Sequence, residues 1–174
     1  MSLDRRRVLL SSTLGLSLSA LPRSVLAQAS PIRVGLMLPS TGTFAPLGDA
    51  IYRGLTLALT QSKGMWGGRP VEIIRADDES NPAKAAELAS RLISRDRADL
   101  LIGSVHSGVA LGMAKVAADQ NRMLIIPNAG ANRLTGAGCS EQIIRTSFSN
   151  WQTIAPLGKI MADRGIKTAV FLTW

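Results

Sequence analysis

Two short polar loops follow buried segments of this sequence, and their residue types suit the binding of an anionic group. The loop at residues 104–107 comes after the apolar run Leu100–Ile102, and the loop at 128–132 comes after Met123–Ile126. Ser107 lies where a helix should begin, so free backbone N–H groups and the positive end of a helix dipole would lie beside its hydroxyl. The pattern predicts a site for a carboxylate or another small polar group.

The sequence lacks the motifs that catalysis or nucleotide binding requires. Residues 39–42 read PSTG where a dinucleotide site needs Gly-x-Gly-x-x-Gly, and the segment 103–108 lacks the Lys-Ser/Thr pair of a P-loop. His106 and Ser107 are adjacent, and adjacent side chains rarely point at each other, so they do not make a nucleophile–base pair. A Gly-x-Ser-x-Gly elbow is also missing. We therefore predict no catalytic residue, no cofactor and no enzymatic activity.

Metal ligands are equally sparse. The sequence holds one His and one Cys, far apart, which make no ligand cluster. The acidic run at residues 77–79 has oxygens that a cation accepts, but a solvated acidic strand end is the simpler interpretation, and no metal site is predicted. Cys139 has two interpretations, a buried unreactive thiol or a thiol that pairs with a partner outside this chain.

The elements that must position the two loops alternate between strand and helix. Strands are predicted at 32–38 and 71–76, in addition to the two apolar runs named above, and helices at about 49–61, 83–96 and 107–121. Strands that alternate with helices at this spacing indicate an α/β fold with a doubly wound parallel sheet. The carboxyl ends of parallel strands meet at one edge of a sheet, where ligands bind in open α/β folds.

After Asn132 this rhythm breaks and then restarts, with a helix at 151–164 and a strand at 168–173. We predict four segments along the chain. They are an export signal at 1–27, an N-terminal α/β ligand-binding lobe at 28–140, a hinge crossing at 141–150, and the truncated start of a second α/β lobe at 151–174.

The first 27 residues have the three parts of an export signal. Arg5, Arg6 and Arg7 form a basic region, an apolar stretch of residues 8–21 follows, and Ala27 offers a cleavage site, with Ala29 as an alternative. The arginines resemble a twin-arginine signal, and general secretory export stays open. The apolar stretch is shorter than a membrane span of about 20 residues, so a periplasmic location is predicted.

The net charge does not indicate a nucleic-acid partner. Of the formal +8 on 174 residues, the first 27 residues carry +3 and the remainder carries +5. The basic residues of the remainder are scattered and barely mixed with aromatic residues, so they form no nucleic-acid stripe. An apolar share of 46% is that of a globular protein.

Four motifs together resemble the solute-binding proteins of ABC importers, of the leucine/isoleucine/valine-binding type with the type I periplasmic binding protein fold. They lie at residues 32–48, 77–82, 102–107 and 126–131, in the order and spacing of that family. The resemblance implies two lobes that close on a small solute, a membrane permease that receives it, and a monomer. It implies no enzymatic activity.

The resemblance also implies which residues bind the ligand. The family's loop after the third strand holds a carboxylate, and its loop after the fourth strand often carries a Thr hydroxyl for an ammonium group. Here Gly130 and Ala131 lack that hydroxyl, so an aromatic or apolar acid and a branched-chain amino acid both stay open as ligands. The alternative function is the ligand-sensing domain of a receptor with the same fold. The predicted ligand-binding residues are Ser40, Thr41, Phe44, Val105, His106, Ser107, Ala129, Gly130, Ala131 and Trp151.

Overall fold

The structure is a computed structural model that describes residues 30–170. The export signal predicted at 1–27 lies outside the described residues. Of the strand predicted at 168–173, only residues 168–170 are described, and they have no regular secondary structure.

The described chain contains one six-stranded sheet. The strands are β1 (Ile32–Met37), β2 (Met65–Trp66), β3 (Arg69–Ala76), β4 (Leu100–Ile102), β5 (Met123–Ile126) and β6 (Ile143–Arg145). Their order across the sheet is β2-β3-β1-β4-β5-β6. All neighbours pair in parallel except β2, which forms an antiparallel hairpin with β3. The predicted α/β class and doubly wound parallel sheet are confirmed.

Four helices accompany the strands in residues 30–170, and three of them cover the two faces of the sheet. They are α1 (Ala45–Gln61), α2 (Ala85–Ser94), α3 (Ser107–Asp119) and α4 (Asn150–Asp163), with short 3-10 turns at Pro82–Lys84 and Asn132–Thr135. Helix α1 packs on one face, against Val34 and Leu36 of β1. Helices α2 and α3 pack on the other face, where Leu92 and Met113 are fully buried.

Alternation along β1 explains how one strand serves both faces. Val34 and Leu36 point toward α1, and Met37 points toward α2 and α3. A Cβ on Gly35 would lie 2.7 Å from a methyl group of Leu101 and 3.3 Å from Leu92 Cβ. Glycine is therefore required there, because the central strand and α2 approach each other too closely for a side chain.

Several element bounds differ from the predicted ones. Helix α1 begins at Ala45 rather than near residue 49, because Pro46 fits the first turn of a helix. Asn81 caps the 3-10 turn that precedes α2, since its side chain accepts the Ala83 N–H at 3.0 Å. No strand was predicted at β2, and β6 lies inside the predicted hinge crossing.

Helix α4 follows the sheet but contributes nothing to its core. Ser149 caps it with a reciprocal bond to Gln152. None of its residues is buried. Its exposed apolar side chains are Trp151, Ile154, Leu157 and Ile160. No helix among residues 30–170 is both long and apolar enough to cross a membrane.

Candidate functional site

The loops at the carboxyl edge of the sheet are joined by hydrogen bonds. The loop after β3 binds the loop after β1 through Asp77 and the loop after β4 through Asp78. The loop after β5 donates the Ala129 N–H to the Ser104 carbonyl at 3.1 Å. The candidate residues of these loops are therefore brought to one edge, as the parallel topology predicts.

His106 acts through its side chain at the start of α3. It is the N-cap of α3, and its Nδ1 atom accepts the Gly108 N–H at 3.0 Å. A backbone N–H can only donate, so Nδ1 is unprotonated in this arrangement and the imidazole proton lies on Nε2. Nε2–H is then a donor that has no acceptor among residues 30–170.

Helix α3 presents further donors at its first turn. The Ala110 N–H binds the His106 carbonyl, which starts the helical ladder, and the N–H groups of Ser107 and Val109 have no acceptor in the described part of the chain. Val105 is buried, while Ser107 is half-buried and carries a hydroxyl. Together with the helix dipole, these groups favour an anion with several acceptor oxygens.

An aromatic side chain lies beside these donors. The rings of Phe44 and His106 are 5.9 Å apart between centroids and tilted by 50°, a geometry that aromatic pairs prefer. The Phe44 N–H donates to the Ser80 hydroxyl at 3.2 Å, which fixes the loop after β1 over this position. Polar donors and an apolar surface are thus adjacent.

Ser40 and Thr41 are exposed and are held by Asp77. Its carboxylate accepts the Ser40 N–H at 2.9 Å, the Thr41 hydroxyl at 2.7 Å and the Glu79 N–H at 2.9 Å. Partial burial acts to raise the pKa of Asp77, but these hydrogen bonds outweigh it and hold that pKa well below its ordinary value. The donors of Ser40 and Thr41 are therefore already engaged within the protein.

The interpretation of residues 77–79 as a solvated strand end is wrong for Asp78. Its side chain is fully buried, not solvated. It accepts the Ser80 N–H at 2.8 Å and the hydroxyl of Ser104, which is also fully buried. Burial raises the pKa of Asp78, and the two hydrogen bonds oppose that rise. Only Glu79 of the acidic run is exposed, where it pairs with Lys84 at 2.5 Å.

The loop after β5 is tightly packed. Ala129 and Gly130 are buried. The Gly130 carbonyl accepts the Asn150 N–H at 2.7 Å, and a Cβ on Gly130 would clash with the Asn150 side-chain oxygen. Gly130 thus serves the approach of α4, so a larger residue there would disturb α4 before it blocked a ligand. The Ala131 carbonyl accepts from Arg145 at 3.0 Å.

Trp151 lies apart from the other candidate residues. It is 65% exposed, and its backbone N–H donates to the Asn132 side-chain oxygen at 3.0 Å. It lines a concavity of about 400 Å³ with Asn132, Thr135 and Arg145, and no other candidate residue belongs to that lining. Cys139 is an exposed free thiol, which rules out its interpretation as a buried one. Residues 30–170 contain no group of three or more His, Cys, Asp or Glu side chains placed to hold a metal ion.

The chain belongs to the periplasmic binding protein family, which matches residues 31–173. The predicted family and its type I fold are thereby confirmed. The Leu/Ile/Val-binding protein BraC3 of Rhizobium johnstonii is 33% identical over 139 residues, which cover 79% of this chain and 36% of that protein.

Two solved structures are similar in fold and sequence. A solute-binding protein of an ABC transporter from R. palustris, in complex with benzoate, is 47% identical with a TM-score of 0.74, over 79% of this chain and 38% of that one. Another, from Rhodopseudomonas palustris BisB5 in complex with 3,4-dihydroxybenzoic acid, is 30% identical with a TM-score of 0.71, over 79% and 37%. The chain thus spans between 36% and 38% of the length of these relatives. These relatives are solute-binding proteins, not enzymes.

Proposed function

We propose that this chain contains the first lobe of the solute-binding subunit of an ABC importer and the start of its second lobe, and that it captures a small carboxylate with an aromatic or apolar body. The observation that carries the proposal is the cluster of donors at the start of α3 beside the Phe44–His106 pair. The benzoate complex of the 47% identical relative supports the same ligand class.

The charges at this edge favour a simple acid over an amino acid. An ammonium group needs a carboxylate or several acceptors, and the loop at 128–131 has only small side chains and one amide. Asp77 and Asp78 are nearby, but their oxygens accept hydrogen bonds from the protein itself. Among the described residues, both carboxylates already have hydrogen-bond partners, so neither is free to pair with an ammonium group.

Capture would follow the geometry of α3. The ligand carboxylate would accept from the Ser107 hydroxyl, from first-turn N–H groups and from His106 Nε2–H, while its ring lies against Phe44. A second lobe, which would begin at residues 151–174 and continue in residues of the gene product outside this chain, would close over the opposite side. A membrane permease would then receive the ligand. The protein would act as a monomer, without enzymatic activity.

Export is part of the proposal. The basic region, the apolar stretch and Ala27 support removal of residues 1–27 and delivery to the periplasm. Mass spectrometry of the periplasmic protein should give an N-terminus at Gln28 or close to it. An N-terminus at Met1 would contradict the proposal. Replacement of Arg5, Arg6 and Arg7 by Lys should stop export by the twin-arginine route, and unchanged export would indicate the general route.

Calorimetry on the complete gene product tests the ligand class. Benzoate and 4-hydroxybenzoate should bind, and leucine should bind more weakly. Ser107→Ala should weaken benzoate binding by about 1 kcal/mol or more, the usual size for a hydrogen bond to a charged group. Thr56→Ala is a matched control, because that hydroxyl binds the Tyr52 carbonyl on the exposed side of α1.

Two outcomes would contradict the proposal. Stabilisation by leucine, isoleucine or valine and by no aromatic acid would refute the aromatic preference. An equal loss of affinity in Ser107→Ala and Thr56→Ala would show that the start of α3 is not the binding site.

A further inference from the structure

Hydrogen bonds from residues 77–80 hold the loops that carry the proposed ligand contacts. We propose that Asp78 and Ser104 are positioning residues for the carboxylate site. Their buried hydrogen bond fixes the loop after β4, so that residues 105–107 present their donors in one geometry. This inference rests on the proposed function and concerns residues that do not themselves touch the ligand.

Asp78 and Ser104 form a buried pair. Both side chains have no exposed surface, and among residues 30–170 the Asp78 carboxylate has two hydrogen-bond partners, the Ser80 N–H at 2.8 Å and the Ser104 hydroxyl. A buried carboxylate loses its hydration, and apolar residues of similar volume are often as stable or more stable. Stability alone therefore does not account for Asp at this position, whereas a fixed loop geometry does.

Ser104 lies at the start of the loop after β4. It lies directly before Val105, His106 and Ser107. On one side its hydroxyl is held by Asp78, and on the other its carbonyl accepts the Ala129 N–H at 3.1 Å. The preceding residue, Gly103, has a φ of 149° and lies so close to the Met37 carbonyl that no side chain fits. The start of the loop is thus held by the close packing of Gly103 and by the hydrogen bonds of Ser104.

The same segment also fixes the aromatic side of the site. Ser80 is held by Asp78 through its N–H, and its own hydroxyl accepts the Phe44 N–H at 3.2 Å. Asp78 therefore connects to Phe44 through Ser80 and to the residues before His106 through Ser104. The spacing between the apolar surface and the donors is set before a ligand arrives, and such preorganisation increases affinity.

A double-mutant cycle on the complete gene product tests this proposal. Calorimetry with benzoate is done on the wild type, Asp78→Asn, Ser104→Ala and the double variant, at a temperature where melting curves show each to be folded. Each single substitution should weaken binding about tenfold, because the loop at 104–107 must then be ordered when the ligand binds. The double variant should also lose about tenfold, because both changes remove the same bond.

Asp99→Asn is the matched control. The Asp99 carboxylate also accepts a backbone N–H, that of Arg33 at 2.8 Å, but at the amino end of β4, away from the site. It should bind benzoate with wild-type affinity even if its melting temperature falls. Single variants within about twofold of the wild type, or losses that multiply to about a hundredfold in the double variant, would overturn the proposal.

Amide hydrogen exchange on the ligand-free wild type supplies a test that needs no variant. The N–H groups of Ser80 and Ala129 should exchange slowly, because the anchored loops are already ordered. Exchange at the rate of an unfolded chain would overturn the proposal, even if the variants fail to fold. A wild type that binds none of the acids would instead contradict the proposed function.

Discussion

Helices α3 and α4 have similar lengths, 13 and 14 residues, yet they are packed in opposite ways. Val109, Met113 and Ala117 of α3 are fully buried against the sheet. Helix α4 has no buried residue, and its apolar side chains are exposed. Apolar periodicity therefore predicts where a helix forms but not what covers it. For α4, the remainder of the proposed second lobe would supply that cover.

The largest expected effect concerns the ligand. If closure needs a second lobe, residues 28–174 alone should bind benzoate with about millimolar affinity at best. The complete gene product should bind benzoate at least about a hundredfold more tightly. Calorimetry on both proteins measures the difference. Micromolar binding by the chain alone would show that the α3 edge is a sufficient site.

The next effect separates the packing of the two regions. Leu92→Ala, in the buried face of α2, should lower the free energy of unfolding of the 174-residue chain by about 2–5 kcal/mol. Leu157→Ala, on the exposed face of α4, should change it by less than about 0.5 kcal/mol. Urea unfolding measures both values.

The same variants in the complete gene product test whether α4 is covered there. In the complete gene product, Leu157→Ala should become clearly destabilising, because the remainder of the proposed second lobe would pack against α4. If Leu157→Ala stays neutral there, α4 lies outside any lobe. If it already destabilises the 174-residue chain, α4 packs more tightly than its exposure indicates.

The sequence predicted the central strands well and the margins of the sheet poorly. β4 and β5 are continuous apolar runs, and β1 is one apart from Arg33; each run stops at Pro or Gly, so local pattern decides these strands. β6 was missed because Ile143–Arg145 is a short run whose last residue is charged, and only its pairing with β5 makes it a strand. Likewise, Met65–Trp66 is a strand only because β3 lies beside it.

The candidate site shows the same division. Ser107 at the start of a helix and the two loops at one sheet edge follow from spacing and topology, so they were predictable. The roles of Asp78 and His106 were not, because a strand-end Asp and a loop His have the same local signature whether solvated or held by the protein. Their partners, Ser104 and the Gly108 N–H, are fixed only once the loops fold together.

The smallest expected effect compares Asp77 with Asp78, neighbours whose pKa values shift in opposite directions. The pKa of Asp77 is lowered from 3.8, so its carboxylate contributes stability above that pH, and this stability is lost as pH falls below 3.8 toward the folded-state value. The pKa of Asp78 is raised from 3.8, so protonation is easier in the folded state. Asp78 therefore contributes the opposite slope above 3.8, with stability gained as pH falls through its raised pKa.

Urea unfolding of the 174-residue chain without its signal, between about pH 6 and pH 3, tests this pair of signs. Asp77→Asn should lose less stability than the wild type on acidification below about pH 4, because the linked proton uptake is gone. Asp78→Asn should lose more, since it lacks the compensating gain. Thr41→Val removes the hydroxyl that binds Asp77 at 2.7 Å, and its slope should fall between those of the wild type and Asp77→Asn. Parallel slopes for Asp77→Asn and Asp78→Asn would show that the two carboxylates have the same environment, which contradicts the division of roles between them.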